Sequence, residues 1–244
     1  MSIVVKLFRL LPVLLIVALA VAWSFPLLAF GARKELWSFQ TAFFLLAGSA
    51  VTAAVLLAVS GTALLMAIRR KNDRAKHRAI LLILVLSIPV GILFNFGIKA
   101  SQAPVIYDIS TDWENPPDFL DLEGQRPKDA NPLQTAAEVS ALQSEFYPDI
   151  VSKTVAGDPL AVFEKVQKAA DEMDWKLFLS DPSQGRLQAV DKTFWFGFKD
   201  DVVVRVKAVD SAHSIVDVRS VSRVGKGDIG KNAERINHFL SLID

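Results

Sequence analysis

Three long runs without a charged residue dominate the first hundred positions of the chain. The runs cover residues 10–32, 36–68 and 79–98. Because a helix needs about 20 apolar residues to cross the hydrocarbon core of a bilayer, each run can span a membrane. The second run exceeds one crossing, so its spanning part is placed at residues 43–66, with Trp37 and Phe39 at the interface. The sequence therefore predicts an all-α unit of three transmembrane helices over residues 1–100, surrounded by lipid.

A cleaved signal peptide is the alternative interpretation of the first run. Lys6 and Arg9 resemble the basic start of such a peptide, and the Ala-Leu-Ala of residues 18–20 resembles a cleavage site. The apolar stretch nevertheless continues to Phe30, well beyond the roughly 7–15 residues of a signal-peptide core. The length favours a retained helix, and cleavage stays open.

Basic residues give the predicted orientation. The loop of residues 69–78 holds six basic residues and one acidic residue. Because Lys and Arg concentrate in cytoplasmic loops, this loop and the N-terminus should face the cytoplasm. Three spans then place everything after Lys99 outside. We expect a multi-pass protein of the bacterial inner (plasma) membrane with an extracytoplasmic C-terminal domain. The spans have no ionisable residue in their middle, which favours an anchor over a transporter.

Residues 101–149 form an acidic, proline-rich connector. Ten acidic and two basic residues lie between positions 104 and 149, whereas residues 150–244 balance 14 against 14. Large apolar side chains such as Trp113 and Phe119 argue against a disordered tether, so the connector should lie along the folded domain. A capping box of Thr135 and Glu138 predicts a short helix. Calcium binding by the connector is disfavoured, because the carboxylate spacing matches no EF-type loop. The carboxylates considered were Asp108, Asp112, Glu114, Asp118, Asp121 and Glu123.

Residues 150–244 predict an α+β domain in the order β-α-β-β-β-β-α, an antiparallel sheet with helices on one face. Strands are expected at residues 151–155, 175–179, 186–190, 193–199, 202–209 and 214–224, the third and fourth of which could be one bent strand. Asp158 followed by Pro159 indicates one helix start, and a last helix should end near Leu242. The order resembles the TATA-binding-protein-like arrangement, a curved sheet with one open face, which by itself carries no function.

Strand alternation predicts a candidate binding surface on that open face. The residues that would form it, with an upstream tryptophan, are Trp195, Arg205, Lys207, Arg219 and Arg223. Guanidinium groups and aromatic faces suit an anionic ligand or an envelope protein partner. The simpler alternative is a solvated face on which the basic side chains pair across strands with Asp201 and Asp217, or with the acidic connector.

No catalytic, cofactor or metal site is predicted. The chain has no cysteine, and its three histidines are dispersed. Residues 225–230 read G-x-G-x-x-G, but only 14 residues follow, and Asp228 would repel a phosphate while capping a helix well. A turn is the better interpretation. We expect a non-catalytic binding or assembly role without nucleic acid. The alternatives are a structural subunit of a membrane complex, or an enzyme acting on an envelope lipid or glycan with Asp200 or Asp217 as general base.

Four segments of the soluble part resemble a known family. They read PVIYDISTDWENPPDF at residues 104–119, YPDI at 147–150, TFWFGFKDDVVVRV at 193–206 and DVRSVSRVGKGDIGKNAER at 217–235. Together they resemble the bacterial domain-of-unknown-function family 1499 (DUF1499) in order and over almost the whole soluble part. The resemblance implies an envelope-associated α+β domain that includes the connector, with no assigned reaction.

Overall fold

A computed structural model describes residues 2–120 and 125–243. The chain forms two compact units, one comprising Met1–Ser101 with Phe194–Gly197 and the other comprising Gln102–Thr193 with Phe198–Asp244.

The first unit contains three long helices, α1 (Ile3–Arg33), α2 (Phe39–Arg69) and α3 (Asp73–Gln102). Each is long and apolar enough to cross a membrane. Large apolar side chains point away from the unit, with Phe44 79% and Phe94 71% exposed. Exposed apolar patches of this kind mark surfaces that contact lipid or another protein.

Small residues allow these helices to pack closely. Ala18, Ala53, Ala63 and Ala79 are fully buried, and they share a cluster with larger side chains such as Leu82. Close approach through small side chains is the usual way in which membrane helices gain van der Waals contact.

The second unit is an α+β domain with an antiparallel sheet, as predicted. Its strands and helices are β1 (Asp108–Ser110), α4 (Ala136–Phe146), β2 (Lys153–Ala156), α5 (Pro159–Glu172), β3 (Lys176–Asp181), β4 (Arg186–Lys192), β5 (Lys199–Ala208), β6 (His213–Ser222) and α6 (Lys231–Ser241). The strands are ordered β1-β6-β5-β4-β3, and β2 also pairs with β6. β5 and β6 form the longest pairing and therefore the centre of the sheet.

The core lies between the sheet and its helices. Phe163 of α5 and Phe239 of α6 are fully buried, and Phe239 stacks on Trp175 at 4.9 Å between ring centroids. Burying a side chain of this size contributes about 2–3 kcal/mol relative to exposure. Alternate valines of the central strands, such as Val204 and Val218, complete the same cluster.

The capping signals are confirmed. Thr135 and Glu138 form the predicted capping box at the start of α4. Asp158 accepts hydrogen bonds from the backbone N–H groups of Leu160 and Ala161, both at 3.0 Å, at the start of α5. Both satisfy amides that the first helical turn leaves without an intrahelical partner.

The strand predicted at residues 193–199 is wrong. Only Lys199 lies in a strand, and the residues before it form the connection between β4 and β5. The Thr193 N–H donates to the Phe198 carbonyl at 2.9 Å, and Gly197 adopts a φ of 69°. Aromatic residues favour strands, but a glycine in the left-handed region marks a turn.

The connector contributes a strand that was not predicted. β1 pairs antiparallel with the C-terminal half of β6, where Ile109 lies opposite Ser220. Side-chain amides fasten the connector further: Gln188 of β4 exchanges two hydrogen bonds with the backbone of Leu120, at 2.8 and 3.0 Å. The connector thus covers part of the sheet face opposite α5 and α6. The TATA-binding-protein-like arrangement stays a prediction.

Candidate functional site

The face of the sheet that lies under the connector carries buried arginine–aspartate pairs. Strand alternation directs Arg205, Asp217, Arg219 and Arg223 away from the helices, because their neighbours Val204 and Val218 enter the core. The three arginines are only 7%, 4% and 7% exposed. Charged groups are rarely buried to this extent unless they are paired.

Arg219 pairs with Asp108 of β1. Its Nε and Nη2 atoms donate to the two carboxylate oxygens at 2.9 and 2.7 Å, and Nη2 also donates to the Gln134 carbonyl at 2.9 Å. The rings of Trp113 and Phe119 lie 5.4 and 6.0 Å from the guanidinium carbon. This two-point geometry and the aromatic faces are the contacts for which arginine, unlike lysine, is suited.

Arg205 lies opposite Asp217 in the register of β5 and β6. Its Nε and Nη2 atoms donate to one oxygen of Asp217 at 3.1 and 2.7 Å, and Nη2 also donates to Asp112 of the connector at 3.1 Å. The second oxygen of Asp217 accepts from the Ser152 hydroxyl at 2.5 Å. Both oxygens of the aspartate are therefore occupied.

Arg223 and Asp201 form the third pair on this face. Nε of Arg223 contacts both carboxylate oxygens at 3.1 Å, and Nη2 donates to one of them at 2.6 Å. Nε of Arg126 from the connector lies 3.0 Å from the same carboxylate. Burial lowers the pKa of Arg126, and the negative charge of Asp201 opposes that effect.

A fourth group lies on the helix side of the sheet, around Arg235 of α6. Nη2 of Arg235 donates to Asp200 at 2.5 Å and Nε to Asp191 at 2.6 Å, while Nη1 donates to the Ser220 hydroxyl at 3.0 Å. Burial raises the pKa of Asp200, and the positive charge of Arg235 opposes it. Burial lowers the pKa of Arg235, but the two carboxylates outweigh it and raise the pKa overall.

The G-x-G-x-x-G segment forms a turn at the start of α6. Gly225 and Gly230 have φ angles of 93° and 79°, which only glycine adopts readily. The Asp228 carboxylate accepts from the N–H groups of Gly230 and Asn232 at 2.9 and 2.8 Å. It thus binds the amides that a dinucleotide phosphate would need. Burial raises the pKa of Asp228 despite these hydrogen bonds.

The structure does not bring the five predicted surface residues together. Arg205, Arg219 and Arg223 are buried in separate pairs, whereas Lys207 and Trp195 are exposed. Lys207 lies near the C-terminal end of β5, and Trp195 belongs to the unit of the three helices. Binding of an anionic ligand by these residues stays a prediction. The alternative of pairing with Asp201, Asp217 and the connector is confirmed, but the pairs are buried and do not form the solvated face that was expected.

Several partners of the arginines were not singled out from the sequence. The ion pair of Asp191 and Arg235 was not predicted, because the two residues lie far apart in the chain and come together only when α6 packs near β4. The connector partners left a signal in the charge distribution, since the excess acid of residues 104–149 adjoins a neutral domain with outward-facing arginines. Among the candidate calcium ligands, Asp121 and Glu123 lie outside the described residues. In the part of the chain that the structure describes, no cluster of three potential metal-ligating side chains occurs.

Comparison with known proteins assigns the soluble part to a family. Residues 108–243 match the family described as "Protein of unknown function (DUF1499)", which covers more than half of the chain. The chain belongs to the DUF1499 family. The match begins at the first residue of β1, so the DUF1499 region includes the connector strand as well as the arginine partners Asp108 and Asp112. No curated protein matches the chain.

Proposed function

We propose that this DUF1499 protein is a bacterial plasma-membrane protein whose N-terminus faces the cytoplasm and whose DUF1499 domain faces outward. In this proposal the domain serves a non-catalytic binding or assembly role in the cell envelope. The observation that carries the non-catalytic part is the pairing of its buried carboxylates: Asp108, Asp200, Asp201 and Asp217 each contact an arginine.

Such pairing opposes acid–base chemistry. A general base needs a free lone pair within reach of a substrate proton and a pKa near the working pH. Asp217 has both oxygens occupied by Arg205 and Ser152. Asp200 has a raised pKa, as a general base would, but the Arg235 guanidinium holds it inside the domain. The enzyme alternative, with either aspartate as base, requires these pairs to open.

The exposed members of the predicted surface are the better candidates for contact with a partner. An anion that reached Arg205 or Arg219 would have to displace Asp217 or Asp108, each held by hydrogen bonds of 2.7 Å. Lys207 is exposed and needs no displacement, and Trp195 is 54% exposed although its ring packs against that of Phe30. We therefore place partner contact at these two residues.

Site-specific photocrosslinking in native membranes tests this role. A benzophenone amino acid replaces Trp195, Lys207 or, as a control, the exposed turn residue Gln184. We expect a discrete protein or lipid adduct from position 195 or 207 and none from position 184. The absence of an adduct from both positions would contradict a binding or assembly role. A changed envelope lipid or glycan profile in D217N, at unchanged protein level, would favour the enzyme alternative.

A further inference from the structure

The N-terminal ends of α1 and α3 enclose a small basic groove that the proposed function leaves unexplained. Its cavity measures about 270 Å³. The lining residues are Val5, Phe8 and Arg9 of α1, Asn72 just before α3, and Arg74, Ala75 and Arg78 of α3.

Helical periodicity directs these residues into the same groove. Val5, Phe8 and Arg9 are three and four positions apart on α1, and Arg74 and Arg78 are four apart on α3, so each set shares one face of its helix. Ala75 and Ala79 of α3 join a buried cluster that also contains Leu11 of α1. Three guanidinium groups thus face one cavity with an apolar wall.

The positive charge of this groove is not neutralised within the described chain. Arg9, Arg74 and Arg78 are exposed, and none of them forms an ion pair with a described residue. Arg205, Arg219 and Arg223 of the DUF1499 domain behave differently, since each is bound by a carboxylate. Converging guanidinium groups without acidic partners are suited to an external phosphate, which accepts two-point hydrogen bonds.

The position of the groove along the helices indicates which phosphate it would meet. Arg9 directly precedes the first uncharged run and Arg78 directly precedes the third. If the runs span the hydrocarbon core, both arginines lie at the level of the lipid headgroups. Val5, Phe8 and Ala75 precede these arginines in the chain, so the apolar wall lies on the cytoplasmic side of the headgroup level.

We propose that this groove binds the phosphate headgroup of an anionic phospholipid. The proposal rests on the membrane placement stated above, because the arginines meet lipid phosphate only if the helices span a bilayer. Arg9 approaches the headgroup from α1 and Arg74 and Arg78 from α3, so that one lipid bridges the two helices. Basic residues near the membrane surface each strengthen binding to anionic lipids, and a groove that gathers three of them selects anionic over zwitterionic headgroups.

Native mass spectrometry of the full chain, purified from membranes in detergent, tests the proposal. Phosphatidylglycerol, phosphatidylcholine and inorganic phosphate are added separately at equal concentration. The test variant is R9Q/R74Q/R78Q, and the matched control R69Q/R70Q/K71Q removes the same charge from residues that do not line the groove. Circular dichroism of each variant checks that the helices remain folded.

We expect the wild type and the control to bind phosphatidylglycerol over phosphatidylcholine, and the groove variant to lose about tenfold or more of that preference. Equal losses in both variants would show a general charge effect and overturn the site. Binding of inorganic phosphate as strong as that of phosphatidylglycerol would also overturn it, in favour of a free-phosphate site. Recovery of the chain in the soluble fraction before any lipid is added would instead contradict the membrane placement.

Discussion

Arginine–aspartate pairs give the DUF1499 domain a polar layer beneath its connector. Taking a guanidinium and a carboxylate out of water is costly, and their attraction offsets that cost only when the hydrogen bonds are complete. Arg219 and Asp108 meet this condition through two direct contacts, a backbone carbonyl and two aromatic rings. The pair links β6 to β1, a connector strand of three residues.

Substitution of one member of this pair should destabilise the domain strongly. R219Q leaves Asp108 buried without its partner, at an expected cost of about 3–5 kcal/mol. The double variant R219Q/D108N should lose less than the sum of the two single variants, with a coupling of about 1 kcal/mol or more. Chemical unfolding of the full chain in detergent, followed by tryptophan fluorescence, measures all three.

K207Q is the matched control for this cycle. Like Arg219, Lys207 is a basic residue of a central strand, in this case β5, but its side chain is exposed. Its substitution should therefore change the free energy of unfolding by less than about 0.5 kcal/mol. Additive effects of R219Q and D108N would show that the pair does not hold the connector.

Asp228 makes a pH-dependent contribution to stability. Because burial raises its pKa, the folded state binds a proton more readily than the unfolded chain does. Stability from this group therefore falls as pH rises from the unfolded value of about 3.9 through the raised folded pKa. D228N keeps an acceptor for the Gly230 and Asn232 amides but cannot titrate. Its stability relative to wild type should increase with pH across this window.

Comparison of D228A with D228N distinguishes the effect of the hydrogen bonds on stability from the effect of the charge. D228A removes the acceptor altogether and, because neither variant titrates, should be less stable than D228N by about 1–2 kcal/mol at all pH values, as expected for the loss of a helix cap. Denaturant unfolding of wild type, D228N and D228A between pH 4 and 8 provides the comparison, and parallel curves for wild type and D228N would contradict the raised pKa.

Helix α5 begins at a cap that the sequence identifies. Replacing Asp158 by alanine removes the acceptor of the Leu160 and Ala161 amides and should cost about 1 kcal/mol, whereas D158N should keep most of the stability. The two variants are compared by thermal unfolding. Equal destabilisation by both would indicate that the negative charge, rather than the hydrogen bonding, stabilises the helix start.

The same element shows why parts of the fold were predictable. Asp158-Pro159 and the capping box of Thr135 act within one helical turn, and alternate valines mark the buried face of β5 and β6, so local sequence suffices. β1 is different, because its three residues form a strand only through pairing with β6, more than 100 positions later. The strand predicted just before β5 was wrong for the opposite reason. Its aromatic residues favour a strand locally, but Gly197 forms a turn there.

The buried arginine pairs could be predicted from the sequence only in part. Alternation identified the face to which Arg205, Arg219 and Arg223 belong, and pairing with the connector was among the alternatives. Local sequence could not decide that the connector covers this face, because the covering depends on long-range contacts such as that between Gln188 and Leu120. The sequence therefore identified which arginines share this face, but it did not show that the connector buries them.

The contacts between the connector and the sheet predict which fragment of the chain can fold by itself. A fragment of residues 150–244 lacks β1 and the partners Asp108 and Asp112, so Arg205 and Arg219 lose carboxylates and the edge of β6 opens. We expect this fragment to aggregate or remain unfolded, while a fragment that starts at residue 104 folds. Dispersion of amide signals in NMR spectra of the two fragments checks this. A folded 150–244 fragment would show that the connector is dispensable.

Across the whole chain, charge is divided sharply. Residues 1–100 carry 11 basic and two acidic residues, and six of the basic ones lie in the loop of residues 69–78. The connector holds the acidic excess of the remainder. The basic loop is the part of this division that favours a cytoplasmic loop and, with it, an outward-facing DUF1499 domain.

Cysteine accessibility tests this placement most directly, since the chain has no cysteine of its own. Single variants K71C and V209C place one thiol in the basic loop and one at an exposed position of the DUF1499 domain. A membrane-impermeant maleimide is added to spheroplasts before and after lysis. We predict that V209C reacts in intact spheroplasts and that K71C reacts only after lysis; the reverse pattern, or labelling of neither before lysis, would contradict an outward-facing domain.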